Sequence, residues 1–99
     1  MTNRNWSELL AQYSPELAGQ SDEDSAFIIS DTALPAWVKL LMAMQMDSVF
    51  NHPKGSRIYG KQAHEKGATT EQIVEAIKIL RMYAGRPAMA TGAEALQDL

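Results

Sequence analysis

Residues 52–87 read HPKGSRIYGKQAHEKGATTEQIVEAIKILRMYAGRP. They predict two helices separated by a tight turn. The first helix begins at Pro53, since proline is well accommodated in a first turn, and it runs to about Lys66. Gly67 closes it, because glycine readily adopts the left-handed conformation that commonly ends a helix.

A second helix is expected over residues 70–84. Thr69 and Gln72 have the spacing of a capping box, in which each side chain binds the other residue's backbone N–H group. An apolar stripe at helical spacing follows, formed by Ile73, Ile77, Leu80 and Ala84. Gly85 ends this helix, and Pro87 begins a last one.

Residues 35–49, upstream of this pair, predict a helix that is apolar on nearly every face. Its apolar members are Trp37, Val38, Leu40, Leu41, Met42, Ala43, Met44, Met46 and Val49. Such a helix must be covered on all sides. A chain of 99 residues buries only about 60–65% of the surface its unfolded form exposes, so we expect one face to meet another subunit. Gly55 and Gly60 weaken the next helix by roughly 1 kcal/mol each, and they predict close approach of a neighbouring helix.

The first third of the chain carries weaker helical signals. One apolar stripe consists of Trp6, Leu9, Leu10, Tyr13 and Leu17. Ser14 and Pro15 interrupt it, and a short helix over residues 15–18 is expected to end at Gly19. Residues 20–25, QSDEDS, predict a solvated acidic loop.

No segment alternates apolar and polar residues convincingly, as a half-buried strand does, so the predicted fold is all-α. The length predicts one domain over residues 1–99. Within it we distinguish an N-terminal helical extension, residues 1–33, from a core, residues 34–97.

The charge balance argues against a nucleic-acid partner. The formal net charge is −3, and the sequence pI is about 5.2. A helix-turn-helix DNA-binding domain would need a basic recognition helix, but Lys78 and Arg81 are opposed there by Glu71 and Glu75.

Several other classes are excluded by residue type. The chain has no cysteine, which removes disulfides, thiolate metal ligands and thiol nucleophiles. Two histidines twelve residues apart, without a third ligand, do not predict a metal site. The start of the chain lacks the apolar core of a signal peptide, and the longest apolar-rich run, residues 34–46, is shorter than the ~20 residues of a membrane span. We therefore expect a cytoplasmic protein without a membrane partner.

Three pieces of sequence together resemble a known family. They are Leu34-Pro35-x-x-x-x-Leu40-Leu41 followed by Asp47; Ala63-x-x-x-Gly67-Ala68-Thr69-Thr70-Glu71-Gln72-Ile73-x-Glu75-Ala76; and Tyr83-Ala84-Gly85-Arg86-Pro87-Ala88. In this order they resemble the carboxymuconolactone decarboxylase / alkyl hydroperoxidase D-like family, over about residues 34–96. The resemblance implies an all-helical domain with a central antiparallel helix pair. It also implies dimers that often assemble into trimers or hexamers.

The family has two chemical branches, and the resemblance allows one of them here. The thiol peroxidase branch has Cys-x-x-Cys and a histidine four residues later, at positions that correspond to His52, Gly55 and Tyr59. Its proton-relaying glutamate falls near Lys39 and Leu40, where no carboxylate stands. Thiol peroxidase activity requires a reactive thiolate and a resolving thiol, so it is excluded.

The decarboxylase branch acts without metal or organic cofactor. It opens the corresponding helix with a histidine and carries the Tyr-Ala-Gly-x-Pro-Ala turn, as this chain does. The resemblance therefore implies a cofactor-free lyase that transfers protons on a small organic acid or lactone. The candidate catalytic residues are His52, Tyr59 and His64, and the candidate substrate-binding residues are Arg57 and Arg86.

Each candidate also has a structural interpretation. His52 could serve as a turn residue, Tyr59 as a packed ring and His64 as a side chain at an interface. Arginines more often form salt bridges than substrate sites, and Glu75 is typical of a solvated carboxylate. The alternative function is thus a non-catalytic oligomer that binds a ligand or partner after loss of the family's redox site.

Overall fold

The computed structural model describes residues 3–99. They form five α-helices and a short 3₁₀ segment, and this part of the chain contains no strand. The helices are α1, Trp6–Tyr13; α2, Pro15–Ile28; α3, Ala36–Val49; α4, Pro53–Glu65; and α5, Thr70–Gly92, followed by the 3₁₀ segment Ala93–Leu96. The predicted all-α fold is confirmed. Over the same residues no helix has the length and apolar character that crossing a bilayer requires.

Helix α3 lies at the centre of the core. It packs more extensively against α4 and α5 than those two helices pack against each other. Leu40 and Met44 of α3 and Ile73 of α5 are fully buried. The opposite side of α3 remains uncovered, with Met42, Met46 and Val49 about half exposed, and we call these three residues the α3 face.

Small residues allow α4 to approach its neighbours closely. Ser48 of α3 and Ser56 of α4 are buried, and their hydroxyl oxygens lie 2.8 Å apart, so one donates to the other. A Cβ atom at Gly60 would overlap the backbone of Ala95 in the 3₁₀ segment. The predicted close approach at Gly60 is confirmed, and this packing explains why a poor helix former stands inside α4.

Helix α5 begins and kinks where the sequence predicts. The capping box is present, with Gln72 N–H donating to the Thr69 hydroxyl and Thr69 N–H donating to the Gln72 side chain. Gly85 has φ 87° and ψ −180°, outside the helical region. After this kink the chain folds back toward the first half of α5. The closeness is clear at Gly92, where an added Cβ atom would lie 2.6 Å from Leu80 Cδ1. In a straight helix these two residues would be about 18 Å apart.

The N-terminal region differs from its prediction. Helix α2 continues through Gly19 and through residues 20–25 to Ile28, so the expected end at Gly19 and the expected acidic loop were both wrong. Glycine in a helix costs only about 1 kcal/mol, and no atom crowds Gly19. We call α1 and α2 together, residues 6–28, the arm.

The arm is joined to the core through its last turn. Neither α1 nor α2 contains a buried residue, although Ile28 packs partly against the core. Lys39 of α3 is buried, and its ammonium group donates to the Phe27 carbonyl at 2.6 Å and to the Thr32 hydroxyl at 3.0 Å. The same ammonium group lies 3.8 Å from the centre of the Phe27 ring. A cation at the C-terminal end of a helix is favourably placed, so Lys39 helps α2 to continue this far.

Candidate functional site

The connection between α3 and α4 positions the first candidate. Asn51 has φ 61°, a left-handed conformation that asparagine tolerates better than most residues, and its side-chain oxygen accepts a hydrogen bond from the Thr91 hydroxyl at 2.9 Å. His52 follows with φ −107° and ψ 81°, outside the helical region as expected for a residue before proline. The turn therefore places the imidazole at the N-terminus of α4.

His52 forms a pair with a carboxylate. Its Nδ1 atom lies 3.4 Å from Asp47 Oδ1, and about two thirds of its side-chain surface is exposed. A Cβ atom at Gly55 would overlap the Asp47 carboxylate, so Gly55 leaves the room in which Asp47 sits. A carboxylate at Nδ1 favours the tautomer that carries its proton there, which leaves Nε2 able to accept a proton from solvent or from a substrate.

Tyr59 lies about 10 Å further along α4 than His52, given 1.5 Å per residue. Its ring is partly buried against the core and lines an open groove of about 460 Å³ between the arm and the core. The other main walls of this groove are apolar or small: Trp6, Phe27, Ile28 and Ala43, with Ser21, Asp24 and Ser25 at the side of the arm. The groove can hold an apolar or aromatic group against the tyrosine ring.

His64 already has a structural partner. Its Nδ1 atom lies 2.9 Å from the Ala68 carbonyl oxygen, and because a carbonyl only accepts, Nδ1 donates. This hydrogen bond spans the turn at Gly67, whose φ is 115°. His64 is exposed in the single chain, and the geometry links it to the turn and not to His52.

Arg57 is occupied by a carboxylate of its own chain. Its guanidinium donates two hydrogen bonds to Asp98, at 2.9 and 2.8 Å. The hydrogen bond from Arg57 and, beyond it, the positive charge hold the pKa of Asp98 below its ordinary value, and the same pair raises the pKa of Arg57. Two residues turn a helix by about 200°, so Arg57 and Tyr59 point to opposite sides of α4.

The remaining candidates stand apart from these groups. Arg86 is exposed and directly follows the kink at Gly85, and Glu75 is exposed on α5. Among residues 3–99, no three His, Asp or Glu side chains gather as a metal site would need. Of the predicted site residues, the structure thus pairs His52 with the Asp47 carboxylate, His64 with the Ala68 carbonyl and Arg57 with the Asp98 carboxylate.

Asp47 is the residue to which sequence analysis assigned no role. It was noted only as part of a family motif. A sequence signal for the pair existed: a carboxylate five residues before a histidine that precedes proline, with a helix break between them. The sequence does not show that Gly55, one turn into the next helix, leaves room for the Asp47 carboxylate, because that depends on how α3 and α4 pack.

Comparison with known proteins adds no relative. No family model, no curated protein and no solved structure matches this chain. The resemblance to the carboxymuconolactone decarboxylase family therefore has the sequence motifs as its sole support.

Proposed function

We propose that the protein is a self-associating member of the carboxymuconolactone decarboxylase branch, a cofactor-free lyase that acts on a small organic acid or lactone in the cytoplasm. The observation that carries this proposal is the Asp47–His52 pair at the mouth of α4. An imidazole that a carboxylate orients through Nδ1 presents Nε2 for proton transfer, the usual role of histidine in general acid–base catalysis. The 3.4 Å separation is long for a hydrogen bond, and catalytic contacts often shorten when substrate binds.

The proposed reaction needs only a proton carrier and a conjugated substrate. The bond between the substrate carbon and its carboxylate breaks, and CO₂ leaves. The electron pair is held as an enolate on the substrate's own carbonyl group, and the carbon then takes a proton that His52 Nε2 has accepted from solvent. Tyr59 is the candidate donor to a substrate oxygen.

Arg57 could bind the substrate carboxylate only if that carboxylate displaces Asp98, and Tyr59, on the opposite side of α4, would then not contact the same small substrate. The exchange replaces one bidentate partner with another of the same chemistry, so it is feasible. Arg86 is the alternative ligand because nothing described here engages its guanidinium so tightly. In this proposal His52 and Tyr59 act on the substrate and Arg57 or Arg86 binds its carboxylate, whereas His64 stays with the Ala68 carbonyl and takes no part in the reaction.

The test is a screen of lactones and keto acids for release of CO₂. We expect His52→Ala to lower turnover by about 10²-fold or more, the usual scale for a proton-transfer residue. We expect Asp47→Asn to lower it by about 10–100-fold, the scale for a positioning partner. His64→Ala is the matched control and should retain turnover, because its imidazole is committed to the Ala68 carbonyl. Unchanged turnover in His52→Ala would remove His52 from the mechanism.

A second candidate function is a non-catalytic oligomer that binds a ligand or partner. It is favoured by the fact that His64 and Arg57 already have partners within the chain. A wild-type protein that turns over no compound of the screen, but protects Tyr59 or Trp6 from a quencher when a small aromatic acid is added, would support this candidate.

A further inference from the structure

The whole chain exposes more surface than a compact fold of this size should. The accessible surface is 6936 Å² for 10.9 kDa, whereas a compact monomer of that mass exposes about 5,600 Å². The Cα radius of gyration is 14.8 Å, whereas about 13 Å is expected for this length. The excess area, about 1,300 Å², exceeds the roughly 800 Å² that each partner contributes to a stable dimer.

This excess coincides with uncovered apolar side chains on the arm. Trp6, Tyr13 and Leu17 of its stripe are 65%, 73% and 48% exposed. Helices of 8 and 14 residues are marginal on their own in water, so α1 and α2 need a surface to pack on. The contacts that anchor the arm to its own core lie at its last turn, through Ile28 and Lys39. Trp6 lines the groove beside Tyr59, whereas Tyr13 and Leu17 stay exposed.

The α3 face supplies an uncovered surface of the same character. Met42, Met46 and Val49 recur at helical spacing and are 45%, 59% and 53% exposed. Methionine side chains adapt well to an irregular partner surface. The α3 face contains no charged residue, so a partner that covers it does not bury an unpaired charge.

Charge decides between the possible occupants. Residues 3–29 hold one arginine and five carboxylates, a net charge of −4. Residues 30–99 hold eight basic and seven acidic residues, a net charge of +1. Two arms repel one another, whereas an arm is attracted to the core of another copy.

We propose that the arm of one copy packs through its apolar stripe on the α3 face of a second copy, and that the second arm packs reciprocally on the first. Such a twofold exchange is closed, because each copy offers one arm and one α3 face. The inference deepens the self-association in the proposed function by naming the segments that meet. It is independent of the chemistry at His52.

The absence of cysteine makes a direct test possible. Tyr13→Cys labels the arm and Met46→Cys labels the α3 face, both at exposed positions. The two full-length variants are mixed, allowed to exchange subunits, and treated with a short bifunctional maleimide. We expect a linked product of twice the chain mass in the mixture, formed faster than in either variant alone. Sedimentation of the unlabelled protein should likewise show twice 10.9 kDa.

Matched controls separate the other outcomes. Tyr13→Cys mixed with Val74→Cys, an exposed position on α5, should give no such product. Links confined to Tyr13 pairs would show arm-to-arm packing and overturn the inference. A doubly substituted chain that links only to itself at monomer mass would also overturn it, as would a dimer with no 13–46 link. A dimer with no 13–46 link would leave the proposed self-association standing. A monomer would overturn both the self-association and the packing of the arm on the α3 face. The substrate screen judges turnover by His52 separately.

Discussion

At the scale of single residues, the two histidines have different environments. His52 is exposed, and its nearest polar partner is a carboxylate that orients the ring. His64 donates to a main-chain carbonyl within a turn. Identical side chains twelve residues apart thus differ in their contacts because of the groups around them and not because of their own type.

This difference predicts that loss of the imidazole costs more stability at residue 64 than at residue 52. His64→Ala should lower the free energy of unfolding by about 0.5–1.5 kcal/mol, because it removes a hydrogen bond across the Gly67 turn. His52→Ala should change it by less than about 0.5 kcal/mol, because an exposed side chain with one long contact contributes little. Urea denaturation of both variants at one protein concentration measures the two values. Equal losses of unfolding free energy in the two variants would contradict this difference between His52 and His64.

At the scale of helices, glycine has three distinct roles in this chain. Gly19 is crowded by no atom inside α2, Gly60 meets the backbone of Ala95, and Gly85 adopts φ 87° at the kink. The first is only a local weakness, the second is a packing requirement and the third is a conformational requirement.

These roles predict that glycine to alanine changes the free energy of unfolding in opposite directions at positions 19 and 60. Gly19→Ala should raise the free energy of unfolding by about 0.5–1 kcal/mol through higher helix propensity. Gly60→Ala should lower it by about 1–3 kcal/mol despite the same gain, because the 3₁₀ segment must move off α4. Urea denaturation gives both values, and circular dichroism confirms that helix content is retained. If Gly60→Ala proved as stabilising as Gly19→Ala, the described contact with Ala95 would be incorrect.

The Arg57–Asp98 pair joins α4 to the end of the chain and predicts an acid dependence. Arg57 lowers the folded-state pKa of Asp98, so the stabilisation is complete above the ordinary aspartate pKa and is lost as the pH falls through the lowered value. Wild type should therefore be more stable than Asp98→Asn at neutral pH, and the difference should disappear in acid. The pair is on the surface, so about 1 M salt should shrink the difference at neutral pH, and denaturation across a pH series tests both statements.

Local signals predicted the core helices well and the arm poorly. The capping box at Thr69 and the kink at Gly85 depend on neighbouring residues, so sequence alone sufficed for them. The length of α2 depends partly on Lys39, which reaches back twelve residues to the Phe27 carbonyl. Likewise, Arg57 was a reasonable candidate ligand until the fold brought Asp98 to it from 41 residues away. The sequence therefore identifies candidate side chains, and the packing shows which of them already bind another group of the same chain.

At the scale of the whole molecule, negative charge is concentrated in the N-terminal region, and the exposed apolar side chains form two separate surfaces, one on the arm and one on α3. Residues 3–29, which contain the arm, have a net charge of −4 and carry the uncovered stripe, and residues 30–99 have a net charge of +1 and carry the α3 face. A single copy cannot bring these surfaces together while Lys39 holds the last turn of α2 in place. Two copies can, since each arm then meets a core other than its own.

Packing between copies makes thermal stability depend on protein concentration. Association stabilises the folded state by mass action, so a tenfold rise in concentration adds about 1.4 kcal/mol per dimer. With an unfolding entropy of about 2.1 cal/mol/K per residue, this corresponds to a rise in Tm of about 3 °C. Scanning calorimetry between about 1 and about 100 μM should show this slope for wild type. The slope should vanish in Trp6→Ser/Tyr13→Ser, which removes apolar groups that are exposed in the single copy and so leaves the protomer's own core intact. A Tm that is constant for wild type across this range would show that the apolar stripe and the α3 face stay uncovered in solution.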